Sequence, residues 1–246
     1  MDVLICVADG LIYEGLDYAD RIEQRLTGAG LGCARYDLTD PAPYLPRPGL
    51  AYVFTGGQTS VHSDAEWMRA AIGLMRDLVT QAEDGGPMVI GVCLGSQLIA
   101  EALRPDSIIG SSGIEVGLTP VCGARCGDGE VGVVPSFHYQ AITPRIEEVA
   151  GVRVEYRNTH TAVQALSYGE RVFGCQFHPE LSPEDIRRLI DFNADVIAEW
   201  NGNVAAAHGS VERHQGALSE DLFDRVVTDR IRHAANSLAA VPRRFQ

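Results

Sequence analysis

The segment Gly91-Val92-Cys93-Leu94-Gly95-Ser96-Gln97 places a cysteine between an apolar run, Met88-Val89-Ile90, and a stretch of helical character, Leu98 to Leu103. Glycines two residues before and two after the cysteine leave room for a sharp, strained turn that lifts one side chain into the open. A thiol reacts as thiolate; the N-terminus of a helix favours negative charge, and a nearby histidine can take the proton. The elbow therefore predicts Cys93 as an activated nucleophile and calls for a histidine. The segment Phe173-Gly174-Cys175-Gln176-Phe177-His178-Pro179-Glu180 supplies one, His178, at the end of a strand. Residues two apart in an extended chain face the same side, and Pro179 restricts the backbone between His178 and Glu180, so the two can lie together. A carboxylate beside an imidazole fixes its tautomer and steadies the imidazolium. A histidine after a strand is by itself ordinarily a surface or satisfied residue; beside an elbow cysteine it reads as a base. Cys93, His178 and Glu180 thus form a nucleophile, base and orienter set. Acyl chemistry at a thiol also needs donors for the oxyanion, and the backbone N–H of Leu94 at the helix start, with that of Gly57 at a neighbouring strand end, fits that need.

The rest of the composition narrows the chemistry. All 20 basic residues of the 246-residue chain are arginine, which excludes a Schiff-base lysine and a P-loop lysine. A formal charge of −13 disfavours general nucleic-acid binding, which needs a basic face, and suits a small neutral or zwitterionic substrate. The six cysteines, at 6, 33, 93, 122, 126 and 175, follow no disulfide framework. Cys6 and Cys175 sit in apparent strands as buried, inert thiols, and Cys122 and Cys126 read as an ordinary Gly-rich loop rather than a metal site. The N-terminus lacks a basic region followed by an apolar one, and no apolar segment reaches the roughly 20 residues that span a bilayer; a cytoplasmic protein without membrane contact is expected.

Elements that position these residues follow from periodicity. Residues 2–8, 31–37, 50–55 and 88–92 read as strands, and 18–26 as an amphipathic helix. A four-proline connector spans 41–48. A helix over 63–82 is expected to start in a capping box of Ser63 and Glu66, and another over 182–200 is capped by Ser182. Strand–helix alternation predicts an α/β fold: a three-layer, mostly parallel open sheet with helices on both faces and function at the carboxyl ends of the strands. Between 115 and 177 short glycine-broken strands, 131–134, 152–156, 162–166 and 171–177, predict a mixed or antiparallel extension. The main domain is expected over 1–200, followed over 201–246 by a polar linker and a helix from about 219 to 240. Phe223, Val227, Ile231, Ala234 and Leu238 mark one face of that helix, which either packs on its own domain or docks to a partner; lying beyond the chemistry-bearing region, it is expected to dock at a subunit or synthetase interface.

These residues resemble the class I (triad) glutamine amidotransferases, in particular the glutaminase domains of GMP synthetases. The resemblance covers roughly residues 50–195 and rests on Thr55-Gly56-Gly57, the Cys93 elbow, Ile114-Glu115-Val116-Gly117, Phe137-His138 and Gln176 to Glu180. It implies that Cys93 attacks the side-chain amide of glutamine, that His178 protonates departing ammonia and that water cleaves a γ-glutamyl thioester, with Gly57 and Leu94 as oxyanion donors. By the same resemblance Gly56, Gln97 and the backbone near Phe137 and His138 would hold the substrate. Gln58 stands where the family usually has proline, and Ser136 to Tyr139 match loosely. The chain shows neither a P-loop nor a Ser-Gly-Gly-x-Asp-Ser motif, so no cofactor or metal is expected, and ATP, where needed, belongs on a separate ammonia-accepting synthetase. Two alternatives stand: a γ-glutamyl hydrolase acting on a γ-glutamyl amine or peptide, and a noncatalytic binding or scaffold protein.

Overall fold

Val3 and Ile5 point to one side of the first strand and Leu4 and Cys6 to the other, and all four are fully buried. Such a strand is covered on both faces, as parallel sheets are. A computed structural model describes residues 1–123 and 132–240, the last four of these as backbone only. In chain order the elements are β1 (Val3–Val7), β2 (Leu11–Tyr13), β3 (Leu16–Asp17), α1 (Tyr18–Gly28), β4 (Cys33–Asp37), β5 (Ala51–Phe54), α2 (Glu66–Glu83), β6 (Met88–Val92) and α3 (Leu94–Leu103). There follow β7 (Ile108–Gly123), β8 (Gly132–Ile142), β9 (Val152–Arg157), β10 (Ala165–Tyr168), β11 (Val172–Cys175), α4 (Pro183–Phe192), α5 (Ala194–Glu199), α6 (Val204–His214) and α7 (Asp229–Ala240).

The large sheet runs β4-β1-β5-β6-β11-β10-β9-β7-β8. Its first five strands are parallel and the remainder antiparallel, the expected α/β sheet with its extension. The order matters for function, because β6 lies between β5 and β11, with Phe54 opposite Gly91 and Cys175 opposite Val92. The segments that leave these three carboxyl ends, Thr55-Gly56-Gly57, Cys93 and Gln176 to Glu180, therefore emerge side by side.

Helices α2 and α3 cover one face through a core that includes Leu4, Phe54, Met68, Met75 and Leu98. The other face packs on α1 through Ala19, Ile22 and Leu26, and on the tail through Phe223, Val227, Ile231 and Ala234, all buried in the cluster that holds Val3, Ile5 and Ile90. The tail stripe is thus a correction to the docking expectation: it packs on its own sheet, where each fully buried aromatic or branched side chain contributes roughly 1.5–3 kcal/mol. The side chain of Leu238 lies outside the described residues.

Four local expectations also change. The polar linker contains α6, capped by Asn203, whose side chain accepts from Ala206 N at 2.8 Å, and anchored by buried Ala207 and Val211; two apolar anchors are too few to signal a helix by periodicity. Helix α2 begins at Glu66 without a side-chain cap, because the Ser63 hydroxyl accepts from Ala65 N (3.2 Å) in the turn before it. The helix expected over 182–200 is two, broken at Asn193, although Ser182 and Asp185 do form a capping box at its start. The glycine-broken extension holds the expected short strands as β9, β10 and β11, and adds β7 and β8, a long antiparallel pair. Val131 and Cys126 lie outside the described residues. Among the described residues no helix is long and apolar enough to cross a membrane.

Candidate active site

Cys93 has φ 49° and ψ −105°, a backbone conformation that costs a non-glycine residue on the order of 1–3 kcal/mol. The flanking glycines explain how it is tolerated. A Cβ on Gly91 would collide with the backbone of Gly95, and one on Gly95 would sit 2.6 Å from the carbonyl oxygen of Phe54. The turn is tied on both sides, Cys93 N donating to Cys175 O at 2.7 Å and Gly95 N to Thr55 O at 3.2 Å. The strain aims the sulfur into a cavity of about 500 Å³ that Cys93 lines with Gly57, Leu94, Gln97, Phe137 and His138. A larger cavity of about 570 Å³, lined by Glu115, Cys122 and His160, lies elsewhere; its cysteine donates to the carbonyl of Arg157 at 3.2 Å and sits within β7 rather than on an elbow.

Behind Cys93 lie His178 and Glu180, 0% and 1% exposed. His178 Nδ1 donates to Glu180 Oε1 at 2.8 Å, so the other ring nitrogen is left for the sulfur. Glu180 Oε2 has no hydrogen-bond partner within the protein. Burial opposes a charged His178, but Glu180 and the Cys93 sulfur outweigh it and raise the imidazole from 6.5 to about 10. The backbone N–H of His178 donates to Pro135 O at 2.8 Å, fixing the segment against β8. The structure thus brings together the three residues read as nucleophile, base and orienter.

Gly57 and Leu94, the residues expected to supply oxyanion donors, lie against each other in the cavity wall. A Cβ on Gly57 would collide with the Leu94 side chain and lie 2.9 Å from Asp9 Oδ1, and Leu94 opens α3, where an N–H has no acceptor one turn earlier. Of the expected substrate-binding residues, Gln97, Phe137 and His138 line the cavity. Gly56 lies against the base: a Cβ there would lie 2.8 Å from His178 Cε1, so its missing side chain makes room for the imidazole. The Gln97 side chain is held by Gln140 O (3.4 Å). The His138 imidazole is engaged within the protein, Nδ1 donating to Gln140 O at 3.1 Å and Nε2 lying 3.3 Å from Glu115 Oε2.

Sequence reasoning misses several lining residues. Tyr18 stacks on the His178 ring, centroids 4.6 Å apart and planes 19° apart. Trp200 stacks on Tyr139 at 4.5 Å, and with Asn193 and Glu199 it lines the cavity. Asp9 accepts from Gln58 N, Thr59 N and the Thr59 hydroxyl, holding the loop after Gly57. None of these carries a local motif; their partners lie tens of residues away. Among the described residues no group of three or more His, Cys, Asp or Glu side chains could hold a metal ion.

Comparison with known proteins places this geometry. A family model described as "Glutamine amidotransferase class-I" matches residues 53–195. A glutamine amidotransferase-like protein of Salmonella typhimurium, YfeJ, is 34% identical over 134 residues, covering 51% of this chain and 54% of that protein, so the chain spans about half the length of the curated relative it matches. A Thermotoga maritima glutamine amidotransferase superposes with a TM-score of 0.72 at 16% identity, covering 94% of this chain and 98% of its own. For one from Methylobacillus flagellatus the values are 0.63, 22%, 100% and 97%. A candidate GMP synthase subunit from Thermoplasma acidophilum gives 0.54 at 20% identity, covering 82% of this chain and 98% of its own; at such identities these likenesses speak for the fold. The family model covers more than half of the sequence, including both the elbow and the His178–Glu180 segment, and the chain belongs to the class I glutamine amidotransferases.

Proposed function

We propose that the chain is a glutaminase that hydrolyses the side-chain amide of glutamine through a Cys93 thioester and supplies the ammonia to a separate synthetase. The observation that carries this reading is the strained Cys93 in the wall of a cavity, with the buried His178–Glu180 pair directly behind it. The thiol proton goes to His178 and the sulfur bonds to the amide carbon, moving the carbonyl electrons onto the oxygen, which the N–H groups of Gly57 and Leu94 would receive. Collapse of that adduct breaks the C–N bond, and imidazolium His178 gives its proton to the leaving nitrogen as ammonia. Water, losing a proton to the now neutral imidazole, then cleaves the thioester to glutamate, and the sulfur leaves with its electron pair. No step requires a cofactor, and ATP, where the acceptor needs it, would belong to the synthetase. The family and the fold shared with a candidate GMP synthase subunit support a partner of that kind.

A second reading, hydrolysis of a γ-glutamyl amine or peptide, is favoured by the cavity itself. Its approximately 500 Å³ exceed a glutamine side chain, and the lining reaches Glu199 and Trp200 on α5 and just beyond. Ammonia and glutamate are to be measured from glutamine, with and without candidate synthetases, beside glutamate release from γ-glutamyl amines. The proposal expects equal ammonia and glutamate from glutamine, abolished by Cys93→Ala. Cleavage of γ-glutamyl amines by a folded protein that leaves glutamine intact in every condition would select the second reading.

A further inference from the structure

The geometry points to Tyr18 as the positioning residue of the catalytic base: its ring backs the His178 imidazole and holds it in line between Glu180 and Cys93. This rests on the proposed role of His178. Tyr18 opens α1, outside residues 53–195 matched by the family model. The ring is buried (5% exposed) and stacked nearly parallel on His178. Its seat is built from small residues. A Cβ on Gly10 would lie 2.7 Å from Tyr18 Cε2, and a Cβ on Gly56 would lie 3.3 Å from Tyr18 Cδ2 as well as 2.8 Å from His178 Cε1. Two glycines thus leave space that only the stacked pair fills.

The seat is also fixed in place. Asp17 and Asp20 close a capping box at the start of α1, immediately before Tyr18. One turn on, Arg21 binds Asp185 Oδ1 through Nε at 3.1 Å and Nη2 at 2.6 Å. Asp185 is the residue that caps α4 with Ser182, just after Glu180. The helix that carries Tyr18 is therefore clamped by Arg21 to the start of α4, just beyond the segment that carries His178 and Glu180. Burial and the neighbouring Cys93 and Glu180 push the Tyr18 phenol well above its usual range, so the ring stays neutral and presents its π face to an imidazolium. A desolvated cation–π contact is favourable, and a misplaced base lowers the rate even when the substrate still binds.

The charged and titratable groups facing His178 are Glu180 from its own segment, Cys93 from the elbow and Tyr18 from α1. The test reads two properties of wild type, His178→Ala, Tyr18→Phe, Tyr18→Leu and Tyr18→Met: steady-state glutaminase kinetics, and the pH profile of Cys93 alkylation by iodoacetamide followed by mass spectrometry. Tyr18→Phe keeps the stack and should stay within about twofold of wild type. Tyr18→Leu and Tyr18→Met, compared at matched thermal melting, should lower kcat by about tenfold with KM changed less than about twofold, and move the His178-dependent alkaline limb down by about one pH unit. Should His178→Ala give the wild-type alkylation profile, the catalytic reading of His178 fails, and the inference with it. A profile that His178→Ala alters but Tyr18→Leu and Tyr18→Met leave unchanged overturns the positioning role alone. So does a Tyr18→Phe protein as impaired as Tyr18→Leu, because the hydroxyl and not the stack would then be at work.

Discussion

Among the described residues two buried histidine–carboxylate pairs place the same side chains in different surroundings. His178 and Glu180 are two residues apart on one segment; His138 and Glu115 face each other across β7 and β8. Glu115 accepts hydrogen bonds from Asn158 (2.5 Å), Thr161 (2.7 Å) and Gln164 (2.8 Å) in addition to its contact with His138. Burial disfavours its charge, but His138 and these donors prevail and lower it from 4.5 to about 2. Glu180 has no comparable set of donors, and one of its oxygens is unpartnered. A carboxylate shared among many donors stabilises a junction between strands. A carboxylate that faces one imidazole concentrates its field there and makes that imidazole a stronger base.

The sharpest test of this difference is to remove one member of each pair. His178→Ala should lower kcat by about 10³–10⁴-fold, since base and leaving-group acid are lost together, whereas Glu180→Gln should cost about 10–10²-fold because the orienter acts through His178. Near-wild-type turnover in a folded His178→Ala protein would remove it from the chemistry. Glu115→Gln should do the reverse, costing about 3 kcal/mol of stability by leaving buried donors and His138 without their anion, while kcat of the folded fraction stays within about threefold. Chemical denaturation paired with initial rates separates these outcomes, and a Glu115→Gln protein of unchanged stability with lost turnover would erase the distinction between the pairs.

The pH dependence of stability sharpens the same contrast with smaller effects. Glu115 is depressed in the folded chain, so its contribution is present above about 4.5 and lost as pH falls toward 2. His178 is raised, so its contribution is full below about 6.5 and lost as pH rises toward 10. Melting temperatures across pH should show the acid loss diminished in Glu115→Gln and the alkaline loss diminished in His178→Gln. Profiles parallel to wild type in both variants would contradict the assignment.

What the sequence discloses follows from how locally each feature is encoded. The elbow at Cys93 and the His178-Pro179-Glu180 segment are legible because the glycine spacing and the two-residue period are properties of a few neighbouring residues, and the alternation of apolar strands with helices points to the parallel sheet. Tyr18 is not legible as part of the site, because its contact with His178 lies 160 residues away and nothing in its own helix announces it. Gly56 reads as a residue that would hold substrate; that its missing side chain also makes room for His178 emerges only once the two lie together. The apolar stripe of the tail shows that one face must be covered; that its cover is the chain's own sheet is a property of the tertiary fold. Ser63 fails as a cap because its hydroxyl serves a turn instead.

The central claim, that Cys93 is the nucleophile set against His178, is tested most directly by treating the protein with an electrophilic glutamine analogue, such as a chloroketone, and mapping the adduct by mass spectrometry. The account predicts one adduct, on Cys93, suppressed by excess glutamine and slowed in His178→Ala, with Cys6 and Cys175 untouched within the core. An adduct found mainly on Cys33, Cys122 or Cys126, or labelling of Cys93 indifferent to both glutamine and His178, would contradict it.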